Sequence, residues 1–336
     1  MKALRTVFAL GIDVLVGAYV TSACLFIIMP AMISDSISIP SPYGAISVSI
    51  GSILTLLLSV GSKVSLGRAV LYGQLPTGRA RSIQRHLAWI TFVVTVISGW
   101  IVTEISPIEF FSGQGLAGAG RIFGALFTPE FDIIGEALSA MMETVFTAFM
   151  ATIIAVPVSF VLSFAAARNV MATDTTGRIV YVVLRALLNI MRSMEPIIWA
   201  IIFSVWVGIG PFAGMLALVV HTIASLTKQY SEQIEDVNDG PIEAISATGA
   251  SRLQVLWFAI VPQCVIPFLS FTIYRWDINV RMATIIGFVG GGGIGYLLTQ
   301  YQGLSRYHEV GMLVIIITAV VWILDVISAR VRAALK

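Results

Sequence analysis

The sequence predicts an all-α membrane protein with about eight transmembrane helices. Hydrophobic residues make up 57% of its 336 positions and charged residues only 11%, whereas soluble domains carry about a quarter charged residues. The apolar residues fall into stretches of roughly 20, the length that an α-helix needs to cross the hydrocarbon core of a bilayer. The two cysteines, Cys24 and Cys264, stand far apart in such stretches, which excludes a disulfide or metal framework.

Eight apolar stretches follow one another along the chain. The fourth is long and contains Pro157, at which we expect the helix to kink. The fifth and sixth are short, and the sequence Gly-Ile-Gly-Pro separates them. The predicted spans are 7–29, 44–61, 87–103, 138–167, 195–209, 212–226, 262–289 and 308–329.

The charges between the spans predict the orientation of the chain in the membrane. Residues 62–86 carry five basic side chains and no acidic one, and both chain ends are basic. The opposite loop, 104–132, carries four acids and a single base, Arg121. Cytoplasmic loops of membrane proteins are rich in Lys and Arg. Both termini, residues 62–86 and the later loop 239–262 are therefore predicted to be cytoplasmic.

The chain is predicted to have two parts. Residues 1–129 form an N-terminal extension of three spans that ends in an external linker, 106–128, with five glycines. Residues 130–336 hold the remaining five spans. We expect the extension to serve in packing, because its polar features are limited to Asp13 and the basic loop.

A stripe of arginines marks the segment before the fifth span. Arg178, Arg185 and Arg192 recur every seven residues and so lie on one side of a helix. This pattern fits an interfacial helix on the cytoplasmic face, with its arginines toward anionic headgroups. The alternative is the start of a long fifth span with snorkelling arginines. We favour the interfacial helix, because Arg185 would otherwise lie deep in the membrane.

The loop 239–262 is the polar, non-spanning segment in the second half of the chain. Pro241 predicts a helix start, with proline in the first helical position, and Gly249 ends this helix. Ser251 and Gln254 predict a capping box for a second helix. That helix has one apolar face: Leu253, Leu256, Trp257 and Ile260. The pattern predicts a helix-turn-helix on the membrane surface, or alternatively an amphipathic connector between two spans.

The same loop resembles the E-A-A-x3-G-x9-I-x-L-P loop in the permeases of binding-protein-dependent ABC importers. Glu243 and Ala244 are followed by Gly249 and Pro262 at the spacing of the family. The resemblance extends from about residue 136 to the C-terminus. The chain departs from the motif at three positions, each with a small or apolar residue: Ile245, Ala259 and Val261.

This resemblance implies that residues 130–336 form a type I ABC importer permease core with a cytoplasmic coupling loop, 239–262. The chain would then lie in the cytoplasmic membrane of a prokaryote. Its implied partners are a cytoplasmic ATPase dimer, which uses the ATP and Mg, an extracytoplasmic solute-binding protein, a second permease copy and membrane lipids; the chain itself needs no cofactor. The residues expected to couple to the ATPase are Glu243, Ala244, Gly249, Leu253, Trp257 and Pro262.

Two later segments, 274–281 and the glycine-rich 287–295, look most like those of phosphonate importer permeases. The implied function is ATP-driven import of phosphonate-like organic anions. An alternative is the same kind of permease for phosphite, a phosphate ester or an amino acid. An intramembrane lipid-modifying enzyme is a further alternative. Such an enzyme would need clustered acids, histidines or a nucleophile at one membrane depth, and these are missing from the sequence.

Four polar residues are crowded into the seventh span, where ionisable side chains are costly and therefore indicate function. Asp277 and Arg281 are four residues apart and can pair, whereas Arg275 and Asn279 share a neighbouring face. One interpretation is a structural ion pair; the other is a translocation path whose net positive charge suits an anion. Glu195 stands where a span begins, and we expect it to stabilise the helix N-terminus or, alternatively, to act in gating.

Other residue patterns exclude further classes of function. A nucleotide-binding loop would need G-x4-G-K-[ST] after a strand, but the glycines of 290–295 have no lysine after them. We expect these glycines to permit close helix packing or a break in the backbone; direct contact of their N–H groups with substrate is the alternative. His221 lies alone in the sixth span and is expected to be a packing residue. The scattered aromatic residues give no indication of nucleic-acid binding.

Overall fold

The computed structural model is helical in all of its regular segments. Within the described part of the chain there is no β-strand, which confirms the predicted all-α fold. The chain divides into two compact units, Met1–Gly113 and Gln114–Lys336. The described residues are 2–28, 48–53, 79–104, 106–172 and 174–335.

Two long helices contact each other in the first unit, α1 (Lys2–Ile28) and α2 (Arg79–Val102). Across this contact, the hydroxyl of Tyr19 donates a hydrogen bond to Oγ1 of Thr95 at 3.1 Å. Such a bond is favourable inside a membrane, because no water is present there to satisfy a hydroxyl. The two helices thus pack by a polar as well as an apolar contact.

The helices of the first unit correspond to the first and third predicted spans. Within α2, the segment Arg81–Val102 is long and apolar enough to cross a bilayer, and α1 contains the shorter apolar segment Phe8–Cys24. The second predicted span, 44–61, lies largely outside the described residues, of which 48–53 are helical.

The segment 106–128, predicted as an external linker, is helical over most of its length. It contains α3 (Pro107–Phe110) and α4 (Gly113–Phe127). The hydroxyl oxygen of Ser106 caps α3 by accepting the N–H of Glu109 at 3.2 Å. In α4, apolar residues recur at helical spacing between the glycines. This pattern outweighs the unfavourable helix propensity of glycine, which is about 1 kcal/mol per residue.

Small residues bring the helices of the second unit close together, as is typical of membrane proteins. The unit contains α5 (Ile134–Ala165), α6 (Arg168–Met171), α7 (Thr175–Ser193), α8 (Pro196–Val207), α9 (Pro211–Glu235), α10 (Asp239–Ala247), α11 (Arg252–Val255), α12 (Val261–Gly287), α13 (Gly293–Gly303) and α14 (Tyr307–Ala334). Helix α9 contacts α5, α7, α8 and α12. Its buried side that faces these helices includes Ala213, Ala217 and Ala224, and α5 contributes Ala137, Ala148 and Ala151.

Five described helices have the length and composition of transmembrane spans. Helix α5 continues through Pro157 without a break, so this residue does not divide the fourth span. The sixth, seventh and eighth predicted spans correspond to α9, α12 and α14. The five helices are Arg81–Val102, Phe131–Ala165, Pro211–Glu235, Arg252–Gly287 and Tyr307–Ala334.

The fifth predicted span, 195–209, is not a straight helix of its own, but together with the helix before it the segment is long and apolar enough to form one broken span. It corresponds to α8, which has 12 residues and is too short to cross a bilayer alone. Helix α7 precedes it, and the two axes differ by 89°. The bend lies at Met194 and Glu195, because Pro196 disfavours a helical conformation in the residue before it. This bend excludes a straight fifth span that begins near Arg178, and α7 remains a separate amphipathic helix.

Candidate functional site

The loop 239–262 folds into the two helices and the turn that the sequence predicted. Asn238 caps α10, with its Oδ1 accepting the N–H of Gly240 at 2.9 Å. Pro241 occupies the third position of α10 rather than the first. The turn after α10 contains Gly249, which has φ of +78°. This left-handed conformation favours glycine, since it carries no Cβ.

The capping box of the second helix is present. The N–H of Ser251 donates to Oε1 of Gln254 at 2.8 Å, and α11 follows directly. Helix α11 then continues through a π-helical turn, Leu256–Ile260, into α12. Pro262 explains this wide turn, because its ring would collide with the carbonyl four residues earlier in a regular α-helix. The second helix is therefore an extension of the following span.

The predicted single apolar face of the second helix is wrong. Leu253 is 71% exposed and Trp257 55% exposed, whereas Ile260 is only 7% exposed. The π turn adds a residue to one turn of the helix and so rotates the later side chains away from the earlier ones. Ile260 therefore faces the core, while Leu253 and Trp257 point outward.

The residues predicted to couple to an ATPase share one property. Each of them is exposed on the loop or at its end, and none is buried in the core of the unit. Such a surface is free to contact a partner. These residues are Glu243, Ala244, Gly249, Leu253, Trp257 and Pro262.

The base of the loop is fixed to two preceding helices by Glu235, the last residue of α9. Its Oε1 accepts the N–H of Arg168 at 2.7 Å and Nη1 of Arg185 at 2.9 Å. The Arg185 guanidinium also lies 5.3 Å from the centroid of the Tyr181 ring. The prediction that the arginine stripe faces headgroups is therefore wrong for Arg185, because this carboxylate attracts it.

Arg275 is buried between α12 and α9. Its Nη2 donates to Oγ of Ser225 at 2.8 Å and to the carbonyl of His221 at 3.4 Å. Its Nε has no hydrogen-bond partner, nor has Nδ1 of His221. Among the described residues, no carboxylate lies within 4.0 Å of the Arg275 guanidinium. Arg275 is thus a buried cation held by neutral groups.

Asn279 faces the same helices but serves in packing. Its amide nitrogen donates to Oγ1 of Thr152 at 2.9 Å and to Oγ1 of Thr222 at 3.0 Å. All three side chains are almost completely buried. They join α5, α9 and α12 at one point, so the polar atoms of Asn279 are already occupied within the unit.

Asp277 and Arg281 form the predicted ion pair, but on another side of α12. Asp277 is 3% exposed, and Arg281 also contacts Asp325 of α14 at 2.9 Å. About two turns closer to the N-terminus of α12 in this antiparallel helix pair, the Arg332 guanidinium lies 5.7 Å from the centroid of the Tyr274 ring. The four polar residues of the seventh span therefore do not form one patch. Sequence reasoning missed Asp325 as the third member, because nothing local indicates a contact across 44 residues.

The remaining predicted residues of the path lie elsewhere. Glu195 is exposed at the N-cap position of α8 and makes no side-chain capping bond. The glycine segment between α12 and α13 has positive φ at Gly290, Gly292 and Gly293. There the N–H of Gly293 donates to Oε1 of Glu143 at 3.1 Å. In this structure, therefore, a side chain of α5 occupies the first free N–H group of α13.

Comparison with known proteins assigns this fold and these motifs. The family model of the "binding-protein-dependent transport system inner membrane component" matches residues 170–336. A phosphite transport system permease of Stutzerimonas stutzeri is 34% identical over 74% of this chain and 88% of its own length. A phosphate-import permease of Mycolicibacterium smegmatis is 28% identical over 85% of this chain and 54% of its own length.

Solved structures agree with the helical architecture. A chain of the MetNI methionine ABC transporter, in an inward-facing conformation, superposes with a TM-score of 0.55. The superposition covers 62% of this chain and 99% of the MetNI chain, at 18% sequence identity. At this identity the likeness concerns the fold alone. It supports the type I importer core that the sequence predicted.

Proposed function

The chain belongs to the inner-membrane components of binding-protein-dependent transport systems, and from this membership we propose that it imports phosphorus oxyanions of the phosphonate and phosphite class. As a member of this family it is the permease subunit of an ABC importer, not an enzyme. The family works with an ATP-hydrolysing subunit and with a substrate-binding protein. The following observations support the proposed class of cargo.

The observation that carries the cargo class is the buried guanidinium of Arg275. Its residue is only 8% exposed, and its described neighbours are a hydroxyl and a carbonyl. A charge inside a membrane helix is costly unless it is paired, and such residues mark substrate pathways. The unpartnered Nε of Arg275 leaves an N–H group that can donate to a visiting anion. Guanidinium groups bind phosphoryl oxygens particularly well.

The names of similar proteins point to the same chemistry. Three of them are described as transporting phosphite, phosphate and phosphonate, which are oxyanions of phosphorus. A cationic group on the path of such cargo must attract it without holding it, since the anion has to leave again. One buried arginine without a carboxylate partner meets this requirement. We further propose that Glu195, exposed at the bend between α7 and α8, borders the same path.

The exposed loop residues support a coupling role. We propose that 239–262 docks on the ATPase subunit through its outward side chains, with Trp257 and Leu253 as the apolar anchors. Large apolar side chains at an exposed turn are typical of such contact sites. This role requires a cytoplasmic loop, and both termini then lie in the cytoplasm. A second copy of the chain would complete the path, and lipids would cover the remaining apolar surfaces.

The cargo proposal is tested with the reconstituted importer and its binding protein. Uptake of radiolabelled phosphite into proteoliposomes is measured in competition with 2-aminoethylphosphonate, phosphate, sulfate and methionine. We expect the phosphorus oxyanions to compete and methionine to have no effect. Thermal shift of the isolated binding protein with the same compounds shows whether selection occurs before the permease. Competition by methionine alone would contradict the proposed cargo class and leave the family assignment intact.

A further inference from the structure

The side chain of Gln263 joins the two ends of the loop 239–262 by hydrogen bonds. Its Oε1 accepts the N–H of Asn238 at 3.0 Å, and its Nε2 lies 3.4 Å from the carbonyl oxygen of Asn238. Asn238 is also the residue whose side chain caps α10. Gln263, in the first turn of α12, therefore holds the starting point of the coupling helix.

The same side chain braces the π-helical turn. Nε2 of Gln263 donates to the carbonyl oxygen of Ala259 at 2.8 Å. The preceding Pro262 has no N–H to offer to the carbonyl of residue 258, so the hydrogen-bond ladder of the helix is incomplete here. A turn of this kind bends more easily than a regular helix. Gln263 thus stiffens the helix at its weakest turn and fastens that turn to Asn238.

The helix on the other side of the loop is fixed as well. Three residues separate the end of α9, at Glu235, from α10, and Glu235 binds α6 and α7 through Arg168 and Arg185. The amide nitrogen of Asn169 donates to the carbonyl of Ile234 at 2.7 Å. The base of the loop is therefore a closed ring: α9, the short link, Asn238, Gln263 and α12.

We propose that Gln263 is a positioning residue for energy coupling, which makes α9 and α12 follow a displacement of α10 together. This inference rests on the coupling role proposed for 239–262. Without Gln263, α10 would still pack through Ile242 against the apolar cluster that contains Ile260, but no hydrogen bond would join the start of α10 to α12. With Gln263, the N-terminus of α10 is bonded directly to α12. Motion of the ATPase then moves both spans, including α12 with its buried Arg275.

The test uses the complete importer in proteoliposomes, with ATPase and binding protein. Gln263→Leu removes both polar atoms and keeps the approximate size of the side chain. Gln263→Glu keeps the acceptor for Asn238 but loses the donor to Ala259. Gln302→Leu is the matched control, because Gln302 is exposed at the end of α13. Tyr296→Cys, at a position 52% exposed beside the glycine segment, reports the conformational change through its labelling by a thiol reagent.

Three quantities are measured: bound ATPase, the rate of ATP hydrolysis, and the change in labelling at position 296 on addition of ATP. In Gln263→Leu we expect bound ATPase and hydrolysis close to those of the parent. The ATP-dependent change in labelling should fall by at least about two- to tenfold, the range expected for loss of a single hydrogen bond, because this variant loses the bonds to both Asn238 and Ala259. Gln263→Glu should lie between this variant and the parent, and Gln302→Leu should match the parent.

Parent-like labelling changes in Gln263→Leu would overturn the proposal. If this variant fails to assemble, Gln263→Glu decides, and full coupling in it would show that Gln263 serves stability alone. None of these measurements uses the cargo, so the result does not depend on the cargo class. Docking of the loop is tested separately, by the amount of ATPase that remains bound to a Gly249 variant. A failure of the coupling role and a failure of the Gln263 inference are therefore distinguishable.

Discussion

Glu143 of α5 accepts a hydrogen bond from the main-chain N–H of Gly293 at 3.1 Å, although 150 residues separate them in the sequence. The adjacent Thr144 accepts the N–H of Ile294 at 2.9 Å. These two side chains satisfy the first N–H groups of α13, where the helix dipole favours a negative charge. The segment needs glycine at position 292, because φ there is +74° and a Cβ would lie 2.7 Å from Cγ of the Pro211 ring. The break between α12 and α13 is thus fastened to α5.

The first prediction follows from this cap. Glu143→Ala should lower the free energy of unfolding by about 1 kcal/mol, which is typical for loss of a helix N-cap. Glu143→Gln should cost less, because an amide oxygen still accepts the bond, although without charge. The measurement is the thermal unfolding midpoint of the purified permease in detergent. Met142→Ala is the control, since Met142 is 58% exposed on the same helix. An unchanged midpoint in Glu143→Ala would show that the cap contributes nothing.

The second prediction concerns Gly249. Its φ of +78° strains any branched side chain, whereas the space around it is open, with nothing within 4 Å of an added Cβ. Gly249→Val should therefore displace α11 relative to α10 through the backbone alone. Less ATPase should co-purify with this permease, although the protein still inserts into the membrane. Gly249→Asn is the control, because asparagine tolerates the left-handed conformation. Equal ATPase recovery from both variants would contradict the docking role.

The third prediction tests the orientation in the membrane. A cysteine at Asp236, exposed just before the coupling loop, should be protected from an impermeant thiol reagent in intact cells. A cysteine at Gln114, exposed near the start of α4, should react. After permeabilisation both should be labelled, which controls for accessibility. Labelling of position 236 in intact cells would place the loop outside and end the coupling proposal.

Local signals in the sequence were sufficient for much of the loop. The capping box at Ser251 and Gln254 and the turn at Gly249 depend on neighbours within a few residues, and the structure contains both. The π turn had a local signal too, in Pro262, but the helical periodicity of Leu253 to Ile260 concealed it. A regular period of 3.6 residues does not survive the added residue, so the apolar face was placed wrongly.

Contacts between distant helices could not be predicted in the same way. Glu143 was recognisable only as an acid within an apolar stretch, and the neighbouring sequence does not predict its contact with Gly293. Asp325 and Arg281 meet because α12 and α14 are antiparallel in one particular register, which is decided by the packing of the whole unit. The bend before α8 depends on one proline, and the apolar composition of 195–209 gave no sign that the segment forms only part of a broken span.

The last prediction distinguishes the roles of the two arginines of α12, because their removal affects different neighbouring charges. Arg281 lies between Asp277 and Asp325, so Arg281→Ala leaves the buried Asp277 uncompensated. The cost should lie at the lower end of about 3–5 kcal/mol, because the Arg281 side chain is 44% exposed. We expect less assembled importer in this variant. Asp277→Ala combined with Arg281→Ala should restore both assembly and uptake. A pair that serves only in packing leaves no uncompensated buried charge when both partners are removed.

Arg275 should behave in the opposite manner. No carboxylate among the described residues depends on it, so Arg275→Gln should assemble normally, yet uptake of phosphite should be lost because the path has no cation for the anion. Arg275→Lys keeps the charge and should retain partial uptake, and Ser225→Ala removes only a hydrogen bond to the guanidinium. Assembly and uptake are measured for all five variants in proteoliposomes. Normal uptake in Arg275→Gln would exclude Arg275 from the path, and lost uptake in a well-assembled Asp277–Arg281 double variant would transfer that role to Arg281.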